Sequence, residues 1–294
     1  MISAREREQS TRAEFMSSTE DAAPRRSVVG AHVRRAYKLG LVGCVAVAMG
    51  LLLAATAEGS LTQHGDLFVT FSGGLAPLVL PRHSLAPISI SVSGTVRTPP
   101  GTKPPPLRQI AIAINRNGHL ETTGLPICHN AQIDGTTSAQ ALRACRNALI
   151  GTGTYSAVAS FPEKSTFPTQ GHILAFNGLS EGRPVILAQI YGTNPAPSTS
   201  VITFYIQHPR GAYGTRLIDN LPASLNHYGY VKRIALTLHR TYTYRGQRHS
   251  YLSASCAAPP GFPGASFNFA RASMSFEGSV TLASTLIRSC KVAR

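Results

Sequence analysis

The sequence predicts an all-β fold: an antiparallel β-sandwich, with a jelly roll or a barrel as alternatives, carrying one short helix pinned by a disulfide. Three observations predict it. After residue 65, apolar and polar residues alternate with a period of two in segments rich in β-branched side chains. Clusters of Gly and Pro break those segments at short intervals. Four cysteines, Cys128, Cys145, Cys256 and Cys290, follow a segment that reads as an export signal.

Residues 1–38 are rich in Ser, Arg, Glu and Ala and read as a disordered leader, or as the product of a misassigned start with Val33 as the alternative. Residues 39–57 (LGLVGCVAVAMGLLLAATA) are uncharged and apolar, entered through Arg34, Arg35 and Lys38 and closed by Ala55-Thr56-Ala57. Basic residues before an apolar run and small residues at its end form the three-part pattern of a secretory signal. The run also approaches the roughly 20 residues that span a bilayer, so an uncleaved signal anchor is the alternative. A lipoprotein box at Cys44 and a twin-arginine signal at Arg34-Arg35 fit their flanking residues less well. Residues 58–294 are then an exported β-rich domain, secreted or held outside the membrane by residues 39–57.

Within that domain, residues 66–72 (DLFVTFS) form the first expected strand, and 78–80 follow the break at Gly73-Gly74. Residues 88–96 place Ile88, Ile90, Val92 and Gly94 on one face and Ser89, Ser91, Ser93 and Thr95 on the other. The Pro-rich stretch 99–106 cannot be a central strand. Residues 108–115 bring Ile110, Ile112 and Ile114 into phase, and Asn117-Gly118 marks a tight turn. One helix is expected over 138–150, built of good formers, capped by Thr137 and ended at Gly151. Its face of Ala139, Leu142, Cys145, Ala148 and Leu149 turns Cys145 inward toward Cys128.

Further strands are expected at 154–160, 173–177, 183–191 and 200–207. Residues 231–244 read as one long strand, turning at 245–248 into 249–256. A last hairpin joins 265–276 to 279–290 around Glu277-Gly278. Phe267, Phe269 and Phe276 read as core, and Arg271, in phase with the first two, needs a partner if buried, Glu277 being the nearest carboxylate in sequence.

Residues 58–294 carry 20 basic and 8 acidic side chains, a net charge of +12. Such a charge suits an anionic environment, and export points it to wall polymers or glycans and away from nucleic acid. Isolated carboxylates argue against a calcium cage or a glycosidase acid pair. The cysteines lack zinc spacing, so disulfides between sequence neighbours, Cys128–Cys145 and Cys256–Cys290, are expected, and no metal or cofactor. No G-x-S-x-G elbow is read after a strand, and no H-E-x-x-H or phosphate-binding glycine loop is found, so no catalytic residue is assigned.

The densest basic and aromatic cluster is Tyr242, Tyr244, Arg245, Arg248, His249 and Tyr251, with Arg240 on the strand that leads into it. Alternation puts Tyr242 and Tyr244 on one face, a geometry able to stack on sugars while arginines meet phosphate or carboxylate. The competing reading is a hairpin whose tyrosines cover the sheet and whose arginines discourage edge pairing. His227, Tyr228, Tyr230, Lys232 and Arg233 could extend the same patch or form a structural loop around Gly229.

The stretches LPICHN, ACRNALIG, AFNG, IYGTNPAP, YRGQRHSYLSASCAAPPGFPGASFNFARASMSF and TLIRSC, spread over most of residues 66–290, resemble a group of secreted proteins of high-GC Gram-positive bacteria. That group has no established activity. The resemblance implies export, favours the disulfide reading, and carries over no catalytic residue. The resulting expectation is an exported, non-enzymatic protein of the cell envelope with a structural or binding role. A carbohydrate- or polyanion-binding module is one alternative, and a hydrolase whose site is assembled from distant residues is another. The membrane would be met only through residues 39–57, if uncleaved.

Overall fold

The alternating segments form strands that pair into one large sheet. The computed structural model describes residues 59–160, 165–222 and 229–293; the leader, the export segment, Cys44, His227 and Tyr228 lie outside the described residues. In chain order the first strands are β1 (Ser60–His64), β2 (Leu67–Ala76), β3 (Val79–Leu80), β4 (Ala86–Pro87), β5 (Ser89–Arg97), β6 (Leu107–Asn115) and β7 (Gly118–Leu120). Two helices follow, α1 (Asn130–Ile133) and α2 (Ser138–Cys145), and then β8 (Leu149–Ala159), β9 (Phe167–Ser180), β10 (Arg183–Gly192), β11 (Ser198–Gln207) and β12 (Tyr213–Asn220). The chain ends with β13 (Gly229–Leu238), β14 (Thr241–Tyr244), β15 (Gln247–Ser250), β16 (Leu252–Ala254), β17 (Gly264–Phe276) and β18 (Val280–Val292).

Thirteen strands form one sheet in the order β1-β2-β5-β13-β8-β9-β10-β11-β12-β6-β17-β18-β3. Its ladders are antiparallel, except that β3 runs parallel to β18. The sheet curls until β1 lies against β18, where the Ser284 hydroxyl donates to the Ser60 hydroxyl. The all-β class with one short disulfide-bearing helix therefore holds, and the curl is the barrel-like form of it. Registers such as Phe71↔Gly94, Ile234↔Gly94, Ile110↔Met274 and Ala188↔Ile202 bring one apolar face of each strand to a common interior. Ile88, Ile90, Gly94, Ile110 and Ile114 are buried in the expected phase.

The outer face of β9 and β10 is also apolar, which is why strands such as ILAFNG and PVILAQ read as continuous hydrophobic runs. Leu174, Phe176, Val185 and Leu187 pack there against Ile133, Ala141, Cys145 and Ala148. The Cys128–Cys145 disulfide fastens this helical cover. Gln189, fully buried beneath it, donates its amide to Ile133 O, Thr136 O and Thr136 Oγ1 at 2.9–3.1 Å. The helix is shorter than expected: after Thr137, which caps it together with Gln140, it stops at Cys145, tightens into a 3-10 turn at Arg146–Ala148, and Gly151 belongs to β8. Ala141, not Ala139, faces inward.

The two ends of the curled sheet are built differently. At one end lie the insertions between β2 and β5, β6 and β8, and β13 and β17, which hold both helices, two small sheets (β4-β16-β7 and β14-β15), the Cys128–Cys145 disulfide and Cys256, whose partner Cys290 is in β18. Tyr251, Leu252, Ala254, Cys256 and Ala258 enter the main core from there. We call this the plugged end. At the other end β1 and β2, β10 and β11, and β17 and β18 are joined by short connections.

Two further expectations change. Residues 231–244 are not one strand: β13 ends at Leu238, the His239 N–H donates to Ile150 O, and the chain leaves the sheet to begin β14. The register slips between Asn268 and Ala270, so Phe269 and Ala270 are both buried and Arg271 turns out to solvent. Glu277 pairs with Arg108 at 2.6 Å instead.

Candidate functional site

The hairpin cluster of the sequence reading exists, but most of it faces inward. Tyr242 lies opposite His249 across the β14–β15 ladder, and their rings stack at 5.5 Å with 22° between planes. Tyr244 meets the same imidazole edge-on at 6.0 Å. Both tyrosines then pack on the loop that follows β7. The Tyr242 hydroxyl donates to Thr123 O at 2.8 Å. Gly124, at φ +74°, lies against the Tyr244 ring, which a Cβ there would strike. Glu121 orders this loop: its carboxylate accepts the Thr123 N–H at 2.7 Å, and a hydrogen bond from the Thr123 hydroxyl above all, then that N–H and the charges of His119 and His249, hold its pKa low against the opposing effect of burial. Burial, with the nearby Glu121 charge, raises the Tyr242 phenol.

Tyr251 is fully buried in the core and cannot belong to a binding surface. Its phase is inverted because it follows the hairpin: its N–H donates to Arg240 O, its carbonyl accepts the Glu121 N–H, and its ring enters the plug. The Arg240 guanidinium turns to Asn147 O at 3.4 Å. Arg245 lies over the Tyr244 ring at 5.2 Å. Of the seven candidates only Arg245 and Arg248 remain exposed. Arg233 does not join them. It faces outward near Thr154, Gln170, His172 and Tyr191, in a polar cleft of about 490 Å3 on the wall of the sheet.

A more enclosed site lies at the end opposite the plug, one that no motif announced. The inward faces of β6, β8, β10, β11 and β13 leave a cavity of about 390 Å3, within the roughly 300–1,000 Å3 of small-molecule sites. Among the described residues its lining is largely apolar and holds no charged side chain: Leu107, Ala157, Val158, Leu221 and Val231 belong to it. Ile110, Ile190, Ile202 and Ile234 line both this mouth and a deeper void of about 90 Å3, itself lined by Phe71, Phe204, Met274 and Leu286. The mouth thus continues into the interior.

The mouth has one ordered polar edge. Tyr155 lies over Gly171 and Gly192, where a Cβ on either would collide with it. Its phenol is raised by burial, with a hydrogen bond to Thr169 opposing, and the Thr169 hydroxyl donates to Asn194 O at 2.7 Å. Asn194, Pro195 and Pro197 complete that rim. Next to Ile110 of the mouth stands a carboxylate that the alternation pattern does not single out. Asp219 lies opposite Ile110 on the inward register, is 6% exposed, and its Oδ2 has no hydrogen-bond partner. Burial pushes its pKa up to about 6, partly offset by a hydrogen bond from the Thr203 N–H.

The letters G-x-S-x-G do occur after a strand, at Gly178-Leu179-Ser180-Glu181-Gly182, which corrects the sequence reading. They form the tight β9–β10 turn, with Ser180 opposite Arg183 and positive φ at Glu181 and Gly182. A nucleophile elbow needs a strand turning into a helix, and this turn leads into β10. Among the described residues no cluster of three His, Cys, Asp or Glu could hold a metal ion. No helix among them is long and apolar enough to cross a membrane. No protein-family model, curated protein or solved structure matches the chain.

Proposed function

We propose that this chain is an exported, non-enzymatic protein of the cell envelope that binds a small apolar ligand inside its curled sheet. One observation carries the reading: among the described residues the interior is plugged at one end and opens at the other through a mouth of about 390 Å3 whose lining is uncharged and mostly apolar. Two disulfides fit an oxidising compartment outside the cytoplasm, as the export segment and the resemblance to secreted proteins imply. The alternative is polyanion binding by the β14–β15 turn. It is favoured by the exposed Arg245 and Arg248 and by the absence of any acidic residue between Asp219 and Glu277.

The test is fluorescence of N-phenylnaphthylamine, a neutral apolar probe, titrated with the full chain. We expect saturable enhancement at one probe per chain, displaced by 1-dodecanol. Ala157→Trp and Ser200→Trp, on two different strands of the mouth, should each lower probe affinity at least tenfold while the near-ultraviolet spectrum of the tyrosines is kept. Absence of saturable enhancement, or enhancement indifferent to both variants, overturns the reading. Retention on purified wall polymer that is lost in Arg248→Ala, by a chain taking up no probe, would move the function to the hairpin.

A further inference from the structure

At the plugged end the loop of residues 259–263 (PPGFP) is held rigid around an exposed phenylalanine. The Arg82 guanidinium donates to Ala258 O, to Pro259 O at 2.6 Å and to Phe262 O at 2.9 Å. The Phe262 N–H closes a turn onto Pro259 O at 3.1 Å. An arginine spent on three main-chain carbonyls fixes the loop, yet the Phe262 ring it presents is 61% exposed. Nothing in the fold requires an aromatic residue there, because the ring leaves the core instead of entering it.

Phe262 is not alone. The Lys291 N–H donates to Leu78 O, and the Val292 N–H donates to Pro263 O, so the end of β18 draws segments 78–80 and 259–263 together. Leu78, Val79 and Leu85 are exposed on this side, Val79 by 54%. Lys291 is directly opposite Val79 in the parallel β3–β18 ladder and is exposed with it. Four large apolar side chains beside one lysine and one arginine depart from the scattered single exposures of an ordinary surface. The segments that build the patch are free of acid. No Asp or Glu occurs between Asp66 and Glu121, between Asp219 and Glu277, or after Glu277.

We propose that this patch docks the folded domain on an anionic lipid surface, with Phe262, Leu78, Val79 and Leu85 entering the headgroup boundary and Lys291 meeting the headgroups, while Arg82 holds the loop that presents Phe262. Apolar anchors give depth and adjacent cations give preference for negative charge, the two-signal pattern of peripheral membrane contact. This contact is separate from any made by residues 39–57, and it does not depend on what the mouth binds. Docking by the plugged end leaves the opposite mouth facing away from the bilayer.

The chain has no tryptophan, so a single introduced one reports its own surroundings in the full-length protein. Phe262→Trp is mixed with vesicles of phosphatidylcholine and phosphatidylglycerol at a ratio of about 7:3, with or without brominated acyl chains. We expect a blue shift and bromine quenching at that position, weakened by salt. His172→Trp, exposed on β9 far from both β1 and β18 in the sheet order, should show neither even if residues 39–57 insert. Adding Lys291→Gln to the reporter should lower its partition about fivefold, one surface cation near an anionic bilayer. A water-like emission maximum with vesicles, equal quenching in pure phosphatidylcholine, or equal quenching of His172→Trp overturns the proposal. A concentration-dependent blue shift without vesicles also overturns it, and shows a second copy on the patch.

Discussion

The two ends of the curled sheet each bury a polar atom without a partner, and they do so with different chemistry. At the plugged end one such atom is the Tyr251 hydroxyl, on a ring that fills the core. At the open end it is Oδ2 of Asp219, beside the isoleucines of the mouth. A hydroxyl stays neutral, so its unmet hydrogen bond costs about 1–3 kcal/mol, less than the ring gains by burial. A carboxylate in the same position would carry a charge out of water and takes up a proton instead. The Tyr251 ring of the plugged end therefore serves packing and brings no change of charge with it. The open end holds the group whose charge state changes in mildly acidic conditions.

The largest effect that can break this comparison is at the plug. Tyr251→Ala removes a fully buried ring and should cost about 3–5 kcal/mol in denaturant unfolding. Tyr251→Phe should be neutral or stabilising by up to about 1 kcal/mol, because the hydroxyl it removes has no partner. At the mouth, Ser200→Trp should cost little, since the added ring enters open space. If Ser200→Trp destabilised as much as Tyr251→Ala, the two ends would be equally packed and the contrast would fail.

The disulfides come next. Each closes a loop worth about 3–4 kcal/mol by chain entropy. Cys256–Cys290 spans 34 residues and Cys128–Cys145 spans 17, and doubling a loop adds about 0.6 kcal/mol. The paired Cys256→Ala and Cys290→Ala variant should therefore lose slightly more stability than Cys128→Ala with Cys145→Ala. Location separates them further, because Cys256 and Cys290 lie in the main core and Cys128 and Cys145 in the helical cover. Hydrogen exchange should show the first variant loosening the whole sheet and the second loosening residues 130–148 alone. Equal, global loosening in both would mean that the cover is part of the sheet's own cooperative unit.

Much of this wall was legible because a strand with one buried face writes its register into the sequence. Residues 88–96 and 108–115 alternate without interruption, and both lie where they were expected. The seam was not legible: β1 (SLTQH) carries almost no apolar phase, since it meets β18 through a serine pair. β12 was missed for a related reason, its inward series Thr215, Leu217, Asp219 having a carboxylate where a strand pattern calls for an apolar residue. The hairpin residues were legible as a cluster. The surface that consumes them, the 121–125 loop, arrives from more than 110 residues earlier, and no local pattern reports it. The mouth has no motif at all, being made of ordinary inward residues from separate strands whose neighbourhood exists only once the sheet curls.

The smallest effect, and the sharpest test of the open end, is the pH dependence from Asp219. Its folded-state pKa, about 6, lies above the ordinary value of 3.8. Well below pH 3.8 the carboxyl is protonated folded and unfolded, and it contributes no penalty. As pH rises from about 4 toward 6 the unfolded chain ionises first, so the folded state loses stability through that window and the loss levels off above it. The full difference corresponds to about 2–3 kcal/mol at 1.36 kcal/mol per pH unit. Asp219→Asn keeps the shape and removes the titration. Its urea midpoint should exceed that of the native chain at pH 7, and the margin should shrink steadily as pH falls to 4. A margin that stays constant across this range would show Asp219 equally protonated in both states, and would leave the open end without the pH dependence assigned to it.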